Sequence, residues 1–159
     1  MQPIQTQQQP ILIVEDLTVS FKGSRGIAKI LEGVGFTLFP GEVLALVGET
    51  GCGKSVTAKS ILDLIPRQFL DRSGAVYLEG TDLFALDQRE LCRVRGQSIG
   101  MIFQNPQSSI NPVFTLGEQM FRLIRMYMQD EINAVCGKLG LSKRAAIKRI
   151  AEEKLAEVG

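Results

Sequence analysis

The eight residues Gly48-Glu49-Thr50-Gly51-Cys52-Gly53-Lys54-Ser55 spell G-x-x-x-x-G-K-[ST]. They stand between the apolar run Glu42-Val43-Leu44-Ala45-Leu46-Val47 and a stretch of helical periodicity. No other feature constrains the chain as much, because this pattern works only when a strand delivers the loop and a helix leaves it. Glycines at 48, 51 and 53 let successive backbone N–H groups curl around a phosphate, and a helix N-terminus adds partial positive charge. Lys54 supplies a point charge to the outer phosphates, and Ser55 offers a hydroxyl to Mg2+. Val56 and Thr57, in the first turn, lie close enough to serve the inner phosphate, although Thr57 equally suits a helix surface. Thr50 and Cys52 lie within the loop, where Cys52 lends its backbone N–H and reads as a small residue. Glu49 sits at a variable position beside the bound phosphate, and its side chain is given no role. Residues 48–57 are therefore the candidate nucleotide contacts.

The periodicities around this loop place it in an α/β fold. Leu17, Val19 and Phe21 alternate with polar residues, as do Phe36 and Leu38, which predicts two half-buried strands with a turn at Lys22 to Gly26. Pro40-Gly41 makes a second turn. Residues 42–47, apolar and β-branched, are expected as a strand buried on both faces. Val56, Ala58, Ile61, Leu62 and Ile65 predict a helix from Lys54 to Ile65, closed by Pro66. A turn at Ser73-Gly74 leads into a short strand over Ala75 to Glu79. Asp87 caps a charged helix through Arg95, and Ser98 to Phe103 is expected as another strand. Asn105-Pro106 and Asn111-Pro112 bound a loop whose prolines exclude a helix. From Leu116 onward the chain reads as helical: Leu116, Met120, Leu123, Ile124 and Met128 form one apolar stripe. Ser142 caps a last helix with Ile147, Ile150 and Leu155 inward, and Gly159 stands at a C-cap position. The Gln-rich residues 1–10 read as a flexible tail, 11–112 as a nucleotide-binding core and 113–159 as the start of a helical subdomain.

Several function classes drop out. With 18 Lys and Arg against 17 Asp and Glu the net charge is +1, which argues against a nucleic-acid partner. Histidine is absent, so no His base, triad or metal site exists. The three cysteines, Cys52, Cys92 and Cys136, are odd in number and widely spaced, as suits a reduced, cytosolic protein. No apolar run approaches the roughly 20 residues of a spanning helix. Asp71-Arg72-Ser73-Gly74 spells a D-x-x-G element of GTPases, but it follows a polar stretch and no N-K-x-D lies downstream. Arg144 and Arg149 lie on one amphipathic helix whose polar face is more simply solvated than used as a metabolite-kinase lid.

Ile102-Phe103-Gln104-Asn105-Pro106-Gln107-Ser108-Ser109-Ile110-Asn111-Pro112-Val113-Phe114-Thr115-Leu116-Gly117-Glu118-Gln119 closely resembles the glutamine-loop region of ABC transporter ATPases, nearest the oligopeptide/dipeptide/nickel importer branch. The run around Lys54, the segment Leu83 to Arg95 and the opening Val14-Glu15-Asp16-Leu17-Thr18-Val19-Ser20-Phe21 look like the same branch. The likeness extends from about residue 11 to 159, as the amino-terminal part of such a subunit. It implies a P-loop ATPase core with an antiparallel β region and the beginning of a helical subdomain, binding ATP and Mg2+. It further implies that Gln104 ligates Mg2+ or the attacking water; a loop-capping amide is the plainer use of that side chain. Phe21 falls where the family stacks an aromatic on adenine, though its alternation with Leu17 and Val19 fits plain core equally. Region 105–128, rich in Met120, Met126 and Met128, corresponds to the surface that receives membrane permease subunits. A second ATPase subunit is the other implied partner, and the implied location is cytoplasmic, on the inner face of the cell membrane.

The family's L-S-G-G-Q motif, catalytic Glu, second Mg2+ Asp and switch histidine do not occur in these 159 residues. An apolar strand that ends in an acidic pair is found at Val14-Glu15-Asp16, before the loop, whereas Glu152-Glu153 lies in a helical stretch. Two expectations follow. One is a truncated ATPase subunit of an importer for peptides or similar solutes. The other is a nucleotide-binding or interaction module that binds without turnover.

Overall fold

Two long strands open the chain: Leu12 and Val14, then Leu17 and Val19, are buried, and an irregularity at Glu15 and Asp16 shifts the alternation by one residue between the two pairs. The computed structural model describes residues 9–23 and 26–158. The tail 1–8, part of the Lys22–Gly26 turn and Gly159 with its expected C-cap lie outside the described residues. Strand β1 (Leu12–Gly23) pairs antiparallel with β2 (Gly26–Leu38) on one edge and with β3 (Leu70–Leu78) on the other; β4 (Thr81–Asp82) extends β3. The sheet order is β2-β1-β3-β4. Its inner face carries Val14, Leu17, Val19, Leu31, Val76 and Leu78, all buried, as are Ile61 and Leu62 at the end of the first helix.

Gly74 does not make the expected turn: it lies inside β3 with φ +92, where the β1 register slips between Glu15 and Thr18. A Cβ at that position would overlap the carbonyls of Glu15 and Asp16. Glycine therefore admits a bulge here and β3 runs through it. Helix α1 (Lys54–Ile61) is shorter than its apolar period suggested. Asp63 enters the left-handed region at φ 48, and its carboxylate receives Arg67 at 3.0 Å and Arg72. Arg72 also lies over the Phe84 ring, 3.7 Å from its centroid, and burial pulls its pKa below the usual arginine value against the upward pull of Asp63. This ion cluster, with Asp63 3% and Arg72 13% exposed in their side chains, ties the end of α1 to β3.

Two expected strands are not strands. Residues 42–47 and 98–103 run without regular structure. Val43 and Val47 are 94% and 91% exposed, and Ile102 is 95% exposed. The reason is pairing. A buried strand exists through its ladder, and among the described residues the backbone of 43–47 and of 100–103 has no hydrogen-bonded neighbour.

The chain divides into two compact units, residues 1–92 and 93–159. That division falls within α2 (Gln88–Gln97), and the boundary read from sequence, after 112, lies inside the second unit. Asp87 caps α2 as expected: its Oδ1 accepts from the N–H groups of Arg89 and Glu90, and Glu90 Oε2 accepts from Asp87 N. In the second unit Pro106–Ser109 form one 3-10 turn, where the prolines had argued for plain loop; Pro106 stands at its start, the position a proline tolerates. Three helices follow: α3 (Leu116–Tyr127), α4 (Gln129–Leu139) and α5 (Lys143–Glu157). Ile124, Ile132, Ala146, Ile147, Ile150 and Ala151 are their core. Leu116 and Leu123 of the expected stripe, and Leu155, expected inward, are exposed; on α3 the core is met by Met120, Phe121, Ile124 and Met128.

Replacing Asp63 by Ala strands the Arg72 guanidinium in its buried site; a loss of about 3 kcal/mol is expected, readable as a lower urea midpoint. A second expectation concerns α3, whose Thr115 and Glu118 form a reciprocal capping box. The Thr115 backbone N–H, then its hydroxyl, hold Glu118 below the usual 4.5. A carboxylate depressed by folding stabilises above its unfolded value and loses that contribution as pH falls through its folded one. Thr115→Ala should therefore lower the urea midpoint at pH 7 and cost less well below pH 4.5.

Candidate functional site

The loop that follows residues 42–47 closes upon itself. Cys52 N donates to the Glu49 carbonyl at 3.3 Å, and Gly51 and Gly53 take φ of +89 and +101, values that L side chains rarely adopt. Gly53 is also spatially irreplaceable: a Cβ there would stand 2.5 Å from Leu31 Cδ2 and 3.3 Å from the Ile30 carbonyl. The loop is thus seated directly against β2, at the residue that pairs with buried Val19 of β1. Sequence reasoning missed this role of Leu31. The one signal for it was the hairpin alternation, which marks Leu31 as inward without saying what it touches.

Lys54 crosses the loop. Its Nζ donates to the carbonyls of Gly48 at 2.8 Å and Glu49 at 2.6 Å and lies 3.4 Å from Cys52 Sγ, so all three ammonium donors are engaged inside the ring. Thr57 is buried, with its N–H at 2.8 Å and its hydroxyl at 3.1 Å both donating to the Gly53 carbonyl. It braces the junction of loop and helix. Since Thr57 makes the first intrahelical bond, the N–H groups of Lys54, Ser55 and Val56 are the orphan donors of α1. Gly53 has no side chain to cap them, and no acidic residue stands in the first turn. Ser55 and residues 48–52 are exposed. Orphan donors, a helix dipole and an ammonium thus converge on one accessible mouth, an arrangement suited to an oxyanion of high charge density.

The arrangement fits a phosphate chain with Mg2+: Lys54, Ser55 and Val56 offer N–H groups, and the exposed Ser55 hydroxyl supplies the hard oxygen such a cation prefers. Phe21 is half-buried on β1, opposite Ala28 of β2 and Leu70 of β3, on the strand face it shares with Val19. It lies in the same unit as the loop. Gln104 lies in the second unit, exposed at a bend after residues 98–103. Among the described residues no group of three His, Cys, Asp or Glu side chains is placed to hold a metal.

These features define a P-loop nucleotide-binding unit of α/β type. The ABC transporter family model matches residues 31–157, and the chain belongs to that family. It is 44% identical over 124 residues to the peptidoglycan transport ATP-binding protein YejF of Agrobacterium fabrum, covering 77% of this chain and 23% of that protein. It is 42% identical over 144 residues to the oligopeptide transport ATP-binding protein OppD of Bacillus subtilis, covering 89% of this chain and 37% of that one. The chain therefore spans between about a quarter and two fifths of these relatives' length. In structure it is similar to the ATP-binding cassette MJ0796, solved as a dimer bound to ADP and Pi, with a TM-score of 0.67, 24% identity and coverage of 89% of this chain and 54% of that one. The expected fold, a partial ABC cassette with an antiparallel sheet and the first helices of its helical part, is thereby shown.

Gly53→Ala tests the seating of the loop. With φ +101 and Leu31 in the way, a cost of about 1–2 kcal/mol from backbone strain alone is expected, seen as a lower melting temperature together with weakened nucleotide binding.

Proposed function

We propose that this chain binds Mg-ATP through residues 48–56 and serves, in the whole protein, an ATPase subunit that powers import of peptides or similar solutes. The observation that carries the binding step is the convergence of the Lys54 ammonium and three uncapped helix N–H groups on one exposed mouth. On binding, a phosphate oxygen replaces Cys52 Sγ, the weakest of the three Lys54 acceptors. The Gly48 and Glu49 carbonyls keep the ammonium in place. Ser55 is the Mg2+ ligand contributed by α1, and the cation, when bound, neutralises charge on the outer phosphates. Thr57 holds the Gly53 carbonyl, keeping the loop open to the ligand. Phe21 offers a ring for adenine stacking, supported by its place on the β1 face that adjoins the loop's seat at Leu31. Gln104 takes the Mg2+ or water-positioning role, a reading supported by the sequence around it.

The peptide relatives support the solute class, and the dimeric cassette supports pairing with a second ATPase subunit. Region 105–128 is the docking surface for permease subunits; its exposed Val113, Leu116, Leu123 and Met126 support that use. The working place is the cytoplasmic face of a membrane. Among the described residues no helix is long and apolar enough to cross a membrane.

Calorimetric titration of the purified chain with Mg-ATP checks the proposal. Saturable binding is expected, reduced about tenfold or more in Lys54→Ala, since one charge-assisted contact to phosphate is worth roughly 1.5–3 kcal/mol. Steady ATP turnover is not expected, because among the described residues no apolar strand beyond the loop ends in an Asp-Glu pair. Turnover abolished by Lys54→Ala would show that this chain holds its own base.

A further inference from the structure

Residues 111–115 belong to no strand or helix, yet a neighbouring side chain takes up their backbone groups. Gln119, one turn into α3, turns its amide back on them. Its Oε1 accepts from the Asn111 N–H at 3.1 Å, and its Nε2 donates to the carbonyls of Asn111 and Phe114, each at 3.0 Å. The oxygen and both amide hydrogens are thus used, and the atom that meets two carbonyls has to be the nitrogen. Holding a residue by its N–H and its C=O together is how one strand holds another. Two more contacts fall on the same run. Asn111 Oδ1 accepts from Val113 N at 3.0 Å, and Arg122, a turn beyond Gln119 on the same face of α3, lies over the Phe114 ring, 4.3 Å from its centroid.

Asn111 and Val113 are exposed, so water could satisfy this backbone, and ordering a glutamine costs rotamer freedom. What Gln119 adds is a single shape. We infer that Gln119 is the positioning residue of this run, a clasp that joins residues 111–114 to α3 as one body and keeps Ile110, Val113 and Leu116 on the exposed side. Any adjustment between Gln104 and α3 then falls within residues 105–110, because the run beyond them is tied down. This role rests on those proposed for Gln104 and for region 105–128, and it names the residue that gives that surface its form.

Amide hydrogen exchange of Asn111, read by NMR on the full chain, tests the clasp. Gln119→Leu removes all three bonds and should cut Asn111 protection about tenfold. Gln119→Glu separates the clasp from mere packing. Its carboxylate, when ionised, faces two carbonyls with nothing to donate; when protonated, it regains a donor and an acceptor for Asn111. Those carbonyls raise its pKa above the usual value of about 4.3. Asn111 protection, corrected for intrinsic exchange, should therefore be low near pH 7 and recover as pH falls toward about 4.5, while the unsubstituted chain stays level. Glu118, held lower by Thr115, stays ionised over that range. Unchanged protection in Gln119→Leu overturns the inference, and so does a loss in both variants with no recovery in Gln119→Glu. Should Gln119→Leu not fold, Gln119→Glu carries both arms through its pH dependence. Neither nucleotide nor partner enters the test, so a failed clasp leaves the roles of Gln104 and 105–128 standing, and a chain that binds no Mg-ATP leaves the clasp standing.

Discussion

Everything in the first unit hangs on β1 being paired along both edges. A strand with neighbours on each side has its backbone groups satisfied by the ladder, so Leu17 and Val19 can be wholly buried. That sheet then gives Leu31 a fixed place, and Leu31 is what Gly53 packs against. The phosphate loop takes its position from this contact, since, among the described residues, 42–47 have no strand pairing that could deliver it. A loop that depends on one side-chain contact and two left-handed glycines is sensitive to very small changes in volume.

The same reasoning separates what is rigid from what is merely present. Asp63, Arg67, Arg72 and Phe84 lock the far end of α1 to β3, so α1 is held at both ends, at its start by the seat on β2 and at its end by charge. Its orphan N–H groups are consequently preorganised, and preorganised dipoles act on an anion without a cost of reorientation. Exposed Val43, Val47 and Ile102 show the opposite situation. These apolar segments have the composition of buried parallel strands and nothing among the described residues to pair with.

Much of this was legible in the residues. The loop, its helix, the β1–β2 hairpin, the Asp87 and Ser142 caps and the turn at Pro40-Gly41 each rest on local chemistry: glycine freedom, side-chain caps, a period of two. Where reading failed, a distant partner was decisive. Gly74 looks like a turn until the carbonyls of Glu15 and Asp16 stand where its Cβ would be. Leu155 has helical spacing for burial, but among the described residues no helix covers it. Gly96 gives no sequence signal at all; a Cβ there would overlap the Tyr127 ring. Asp63 reads as a polar residue near a helix end, and its two arginine partners come from separate segments.

By itself the sequence determined the phosphate-loop pattern, since the glycines, Lys54 and Ser55 that define it lie within eight consecutive residues and depend on backbone freedom and charge. It determined the family for the same reason, through contiguous motifs. Tertiary structure decided where the loop rests, which apolar residues are covered and how Lys54 spends its three donors. Those outcomes depend on which segments meet, and burial and charge pairing are properties of the meeting and not of either segment alone.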